Sequence, residues 1–147
     1  MDRRLFEAAW GGDLIVLKRL ANEDPRIIHS SSLIGNDNPL HIACMTSHLG
    51  FVKELIKLKR NLAYDLNADG LSPLHISAAN GDFNILKELL SINKDALHMV
   101  EGKDRRIPLH YTVIKGRLNI VKELIAIDPQ SIEVATADRG ETVLHLA

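Results

Sequence analysis

Asn67-Ala68-Asp69-Gly70-Leu71-Ser72-Pro73-Leu74-His75, running on into Ile76-Ser77-Ala78-Ala79-Asn80-Gly81-Asp82, is the stretch from which the architecture follows. Gly70 permits the positive φ of a tight turn, Ser72 can cap a helix, and Pro73 takes the first helical position, where its missing N–H costs nothing. The small residues Ser77, Ala78 and Ala79 let a helix over 73–80 pack closely on a neighbour, and Gly81 ends it. Phe83, Leu86, Leu89 and Leu90 then recur at i, i+3, i+6 and i+7, which predicts a second helix with one apolar stripe and with Lys87 and Glu88 in water.

The head of this unit returns along the chain. Pro39-Leu40-His41, Pro73-Leu74-His75, Pro108-Leu109-His110 and Val143-Leu144-His145 bring the histidine back after 34, 35 and 35 residues. The order turn, Ser/Thr-Pro-Leu-His, small-residue helix, Gly, aliphatic helix resembles the ankyrin repeat. That resemblance implies an all-α solenoid of stacked helix-turn-helix units with β-turn or hairpin loops, and its approximate repeats are 1–31, 32–66, 67–101, 102–136 and a partial 137–147. Each repeat buries against its neighbours an apolar face it could not hide alone, so the whole chain counts as a single domain with a linear core. In the same frame Phe51, Val52, Leu55 and Ile56 form the second stripe of one repeat, and Leu118, Val121, Leu124 and Ile125 that of another. Leu5-Phe6 and Gly12-Asp13 place the N-terminal segment in register. Ser47 stands where the inter-helix glycine belongs and Arg105 where a turn glycine belongs, so either residue adopts positive φ at a cost or its turn differs. Asp24-Pro25 and Asp128-Pro129 are expected to stop helices, because the residue before Pro avoids the α region.

Composition narrows the function classes. Eighteen Lys and Arg against 19 Asp and Glu leave a net charge of −1, and aromatic residues are 4% of the 147, which removes a global drive toward nucleic acid and the rings to stack its bases. A single cysteine, Cys44, forbids an intrachain disulfide and fits a reducing, cytoplasmic setting. No apolar run reaches the ~18 residues a membrane helix needs, so direct membrane insertion by this segment is not expected.

Seven histidines invite a metal reading. Packed helices lie roughly 8–10 Å apart, whereas zinc requires each nitrogen at about 2.0–2.1 Å, so His41, His75, His110 and His145 in register are expected to bond turn backbone and tie repeats together. His29, His48 and His98 have no motif around them and are expected on the surface or in loops. Cys44 takes the position of Ala78 and is expected to be buried and inert. Ser30-Ser31-Ser32 lacks a nucleophile elbow, and Glu23-Asp24 is expected in a loop beside Pro25. No enzyme chemistry and no cofactor are expected.

The family resemblance instead implies recognition of a protein partner on a concave face made by turn tips and first helices. Carried over by position, the tips contribute Asp37, Asp69, Leu71, Lys103, Asp104, Arg106, Arg139 and Glu141, and the first helices contribute Trp10, Met45, Thr46, Ala79, Asn80, Ile114 and Lys115. Trp10, Met45, Ala79 and Ile114 share one repeat position and would form an apolar line; Trp10 either anchors a partner or folds over the end repeat. Residues 101–125 are net basic and 126–147 net acidic, read either as solvated tips or as a basic patch for an acidic partner segment. Phrases such as Val113-Ile114-Lys115-Gly116-Arg117-Leu118 resemble plant ankyrin proteins in which a membrane-spanning PGG domain follows the array, and that likeness implies a role in defence or stress signalling on the cytoplasmic side of a membrane. The alternative is an assembly domain of a larger membrane or channel-like protein. The unfinished last repeat would then offer Val143, Leu144 and Leu146 for self-association.

Overall fold

A computed structural model describes residues 1–29, 35–92, 106–127 and 129–130. Among them are eight α-helices in four pairs: α1 (Arg3–Gly11) with α2 (Leu14–Glu23), α3 (Pro39–Met45) with α4 (Leu49–Leu58), α5 (Pro73–Asn80) with α6 (Phe83–Ile92), and α7 (Pro108–Ile114) with α8 (Leu118–Ile127). The chain divides into two compact units, Met1–Pro73 and Leu74–Ala147. The Ser30-Ser31-Ser32 run, Arg105, Asp128 and the partial fifth repeat lie outside the described residues.

In the first unit α1 packs on α3 and α2 on α4, while each helix also packs on the other member of its own pair. Inner helices therefore form one layer and outer helices another. Between the layers lie Leu5, Ala8 and Ala9 of α1, Leu17 and Leu20 of α2, Leu40 and Ala43 of α3, and Phe51, Val52 and Leu55 of α4, all essentially without solvent contact. Each such Leu removed from water contributes about 1.5–3 kcal/mol. Alanines at the inner-helix contacts let the backbones approach, and the fully buried Cys44 fills the place that Ala9 and Ala78 fill elsewhere.

The buried stripe of the outer helices differs from the one the spacing predicted. In α6 it is Ile85, Leu86, Leu89 and Leu90, with Phe83 only half-buried. In α8 it is Ile120 and Leu124, while Leu118 is 71% exposed and Val121 and Ile125 are half-buried. The physical reason is that these helices pack along two inter-layer rows, helix positions 3, 4, 7 and 8. Position 1, where Phe83 and Leu118 stand, sits at the helix entrance beside the turn. Ile56 likewise is half-buried while Phe51, Val52 and Leu55 are buried as expected.

Turn chemistry follows the sequence closely. Gly12, Gly81 and Gly116 have φ of 72°, 77° and 67°, and Ser47, in the same place, is held at φ 60°. Serine thus accepts the left-handed conformation, and the turn keeps its shape. A Cβ on Gly12 would meet His48 Nδ1 at 2.6 Å, and one on Gly81 would meet Arg117 Cδ at 2.7 Å, so glycine here serves close approach as well as φ. Asp24 is extended (φ −154°) and ends α2, as the following Pro25 dictates.

Two features were not legible. The connections after α2 and α4 are short 3-10 helices, Pro25–His29 and Arg60–Tyr64, which plug Ile28 and Leu62 into the core. Glu23 is the last residue of α2 instead of a loop residue, and Arg4 of α1 reaches it at 3.4 Å. Asp24 is paired with Arg26 at 3.0 Å, which holds its carboxyl below the usual carboxylate range. These ion pairs are exposed and add little stability.

Candidate functional site

At two repeat heads, His41 and His75, the histidine is a joint between repeats. At the start of α3 the Asn38 side chain accepts from the His41 backbone N–H at 3.0 Å, and the Asn38 backbone N–H donates to His41 Nδ1 at 3.1 Å. Because Nδ1 accepts, the proton sits on Nε2, which donates to the Leu71 carbonyl at 2.9 Å in the turn of the next repeat. Asn38 is itself buried, and its amide donates to the Leu62 carbonyl and to Asp65 at 2.9 and 3.1 Å. In the second unit His75 Nε2 lies 3.0 Å from the Arg106 carbonyl, and His110 Nδ1 accepts from the Ile107 N–H at 3.0 Å. Burial pushes the His41 imidazole below its ordinary pKa, opposed by the Leu71 carbonyl and by Asp37 and Asp65.

Both His41 nitrogens are therefore spent on backbone. Among the described residues no group of three His, Cys, Asp or Glu could hold a metal. His98 and His145 fall outside the described residues, and His29 is exposed. Cys44 has no solvent contact, as expected of a buried thiol.

Tips of the first unit are tied to each other. The Ala68 N–H donates to the Gly35 carbonyl at 2.7 Å, and the Asn67 amide donates to Asp37 at 3.0 Å. The Asn67 side chain also accepts from the Asp69 and Leu71 N–H groups, so one residue shapes the whole turn. This leaves Asp69 exposed and Asp37 and Leu71 half-buried. Arg106 is half-buried, and Lys103, Asp104, Arg139 and Glu141 are outside the described residues.

On the inner helix of the first repeat, Trp10 is 57% exposed and stacks on Phe6, ring centroids 6.1 Å apart and 16° from parallel. Its ring stacks along its own helix, α1, on the residue one turn earlier. Phe6, Glu7, Trp10 and Gly11 line a shallow depression of ≈ 290 Å³. The Trp10 carbonyl accepts from His48 Nε2 at 2.9 Å, and the Ala9 carbonyl from the Thr46 hydroxyl at 3.4 Å. Thr46 donates its single hydroxyl proton chiefly to the Ile42 carbonyl of its own helix at 3.0 Å, the Ala9 carbonyl being the longer contact. Met45, at the Trp10 position of the next repeat, is 38% exposed. In the second unit Ile114 is 41% exposed, Asn80 and Lys115 are exposed, and Ala79 is half-buried.

His48 and Arg117 were the residues that motif reasoning passed over. They stand where Asp13 and Asp82 stand in the other two repeats. Asp13 and Asp82 cap their own helices, accepting from the Val16 and Ile85 N–H groups at 3.1 Å. His48 and Arg117 are donors, so they reach back to the preceding inner helix, Arg117 Nε to the Ala79 carbonyl at 3.2 Å. The signal available in the sequence was this change from acceptor to donor at one repeat position.

Paired helices with linked tips, capped inner helices and exposed side chains along those helices define a helical repeat protein. The chain belongs to the ankyrin-repeat family, since a family model described as Ankyrin repeats (3 copies) matches residues 5–100, well over half of it. The pair α7 and α8 lies beyond the matched span. No curated protein matches the chain. Ankyrin repeats generally mediate protein–protein interaction and are typically non-enzymatic, and among the described residues no helix is long and apolar enough to cross a membrane.

Proposed function

We propose that this chain is a non-enzymatic scaffold that binds a protein partner through the exposed side of its inner helices and turn tips. The observation that carries this reading is Trp10: a large aromatic ring more than half exposed, stacked on Phe6 and carried on a backbone that His48 holds. An exposed Trp of this kind is a strong anchor for a partner. Met45 in the first unit and Ile114 in the second offer smaller apolar contacts at the same repeat position; the first unit adds Asp37 and Asp69 as polar groups, and the second adds Asn80 and Lys115.

The setting we infer is cytoplasmic, in plant defence or stress signalling and at the cytoplasmic side of a membrane. Support comes from the likeness of Asn67–His75 and Val113–Leu118 to phrases of plant ankyrin proteins with a PGG domain. Affinity capture from plant extract tests both parts, with a Trp10→Asp, Met45→Asp, Ile114→Asp variant as control. Partners held by the parent and lost by the variant support the surface; equal capture by both refutes it.

A further inference from the structure

We propose that the inner-helix and tip side of the first unit docks a basic peptide segment, with an Arg or Lys side chain lying over the Phe6–Trp10 platform. This rests on the protein-binding reading above and names the chemistry of the partner. Charge in this unit is segregated by layer although its total is balanced. Inner helices and tips (residues 1–11, 35–47 and 65–73) carry Arg3 and Arg4 against Asp2, Glu7, Asp37, Asp65 and Asp69, whereas the outer layer (residues 12–29 and 48–64) carries seven Lys and Arg against four Asp and Glu. Even the two inner cations are engaged: Arg4 bonds Asp2 and Glu23, and Arg3 bonds Glu7 at 3.0 Å.

Glu7 lines the same depression as the two rings. Its pair with Arg3 is exposed on both sides, and an exposed pair of that kind exchanges readily for a partner guanidinium. A long cationic side chain can lay its aliphatic stem on Phe6 and Trp10, place its charge against the indole face and reach the Glu7 carboxylate. The two rings already stack on each other and the His48 bond holds the Trp10 backbone, so part of the ordering cost is met before binding. Across α1 and its cap Arg3 and Arg4 balance Asp2 and Glu7, so the acidic surplus of this side comes from Asp37, Asp65 and Asp69 on the tips and connections, where a basic segment finds partners and an acidic one is repelled.

Trp10 is the single tryptophan of the chain, so its emission reports this platform directly. The full chain is titrated with a synthetic peptide of alternating Arg and Leu, and with the same peptide carrying citrulline or Glu in place of Arg. The expected result is a saturable change in Trp10 emission with the Arg peptide alone, weakened severalfold when NaCl rises from ~50 to ~300 mM. A Glu7→Gln, Asp69→Asn variant with unchanged circular dichroism should bind roughly fivefold or more weakly. Equal binding of the citrulline or Glu peptide, or binding indifferent to salt, overturns the basic-partner proposal and leaves the protein-binding reading standing. Silence of Trp10 toward every peptide also overturns it, and the capture experiment, which reads Met45 and Ile114 as well, then decides the wider reading separately.

Discussion

Ser47 and His41 each carry a cost that the rest of the repeat compensates. Ser47 is exposed and sits at φ 60°, a conformation that costs an L-residue with a Cβ roughly 1–2 kcal/mol. Ser47→Gly should raise stability by about 1 kcal/mol, part of the relief being lost to the freer unfolded chain, and urea unfolding of the two proteins measures it. His41 is neutral in the fold because protonating Nδ1 would set it against the Asn38 N–H, and burial opposes the charge as well. Its folded pKa is therefore below the unfolded value of about 6.5. Between those two values the unfolded chain binds more protons, so stability is present in full above pH ~6.5 and falls as pH drops toward the folded pKa. Urea midpoints from pH 8 to 5 should decline in that window, and His41→Gln should flatten the decline; an equally steep decline in the variant would assign it to other groups.

Among elements, the first inner helix offers a matched pair of glycines. Gly11 is the last residue of α1, and a Cβ there meets nothing within 4 Å, whereas Gly12 has φ 72° and lies against the His48 ring. Gly11→Ala should be neutral or stabilise by up to ~1 kcal/mol. Gly12→Ala should destabilise by more than about 1 kcal/mol and break the His48 hold on Trp10, which thermal melts of both variants compare. The head of α3 depends on Asn38, whose side chain caps the helix and satisfies the Leu62 carbonyl and Asp65. Asn38→Ala should cost roughly 1–3 kcal/mol, because it removes a cap and strands a buried acceptor. Helix α7 has the fully buried Ile107 at that place and keeps only the His110 half of the arrangement, so Ile107→Asn should lose stability, the lost apolar burial and the desolvated amide outweighing the cap it adds.

Across the first unit, stability is shared between repeats because each layer is made by two of them. Leu55 of α4 is fully buried, and its truncation to Ala should cost about 2–5 kcal/mol. Since α1 and α2 pack on α3 and α4, that loss should reach the first repeat as well. Trp10 emission during urea unfolding reads this, because the ring belongs to the first repeat while Leu55 belongs to the second; an unchanged Trp10 midpoint in Leu55→Ala would show the repeats to be independent.

Repeat register, the helix pairs and the joint histidines were readable along the chain because they rest on local chemistry: Pro and Ser at helix starts, Gly or its stand-in at φ near 70°, and a spacing that returns the same head. The buried Cys44 was readable for the same reason, whereas at Ser47 the spacing left open a left-handed serine or a different turn and the structure decided for the first. The true stripe of α6 and α8 was not, since apolar residues at positions 1 and 3 look alike until a neighbouring layer covers one of them. His48 and Arg117 as donors, the 3-10 plugs at Ile28 and Leu62, and the stacking of Trp10 on Phe6 likewise emerged with packing. Each depends on what stands across a helix interface, and distance across an interface is not encoded in spacing along a chain.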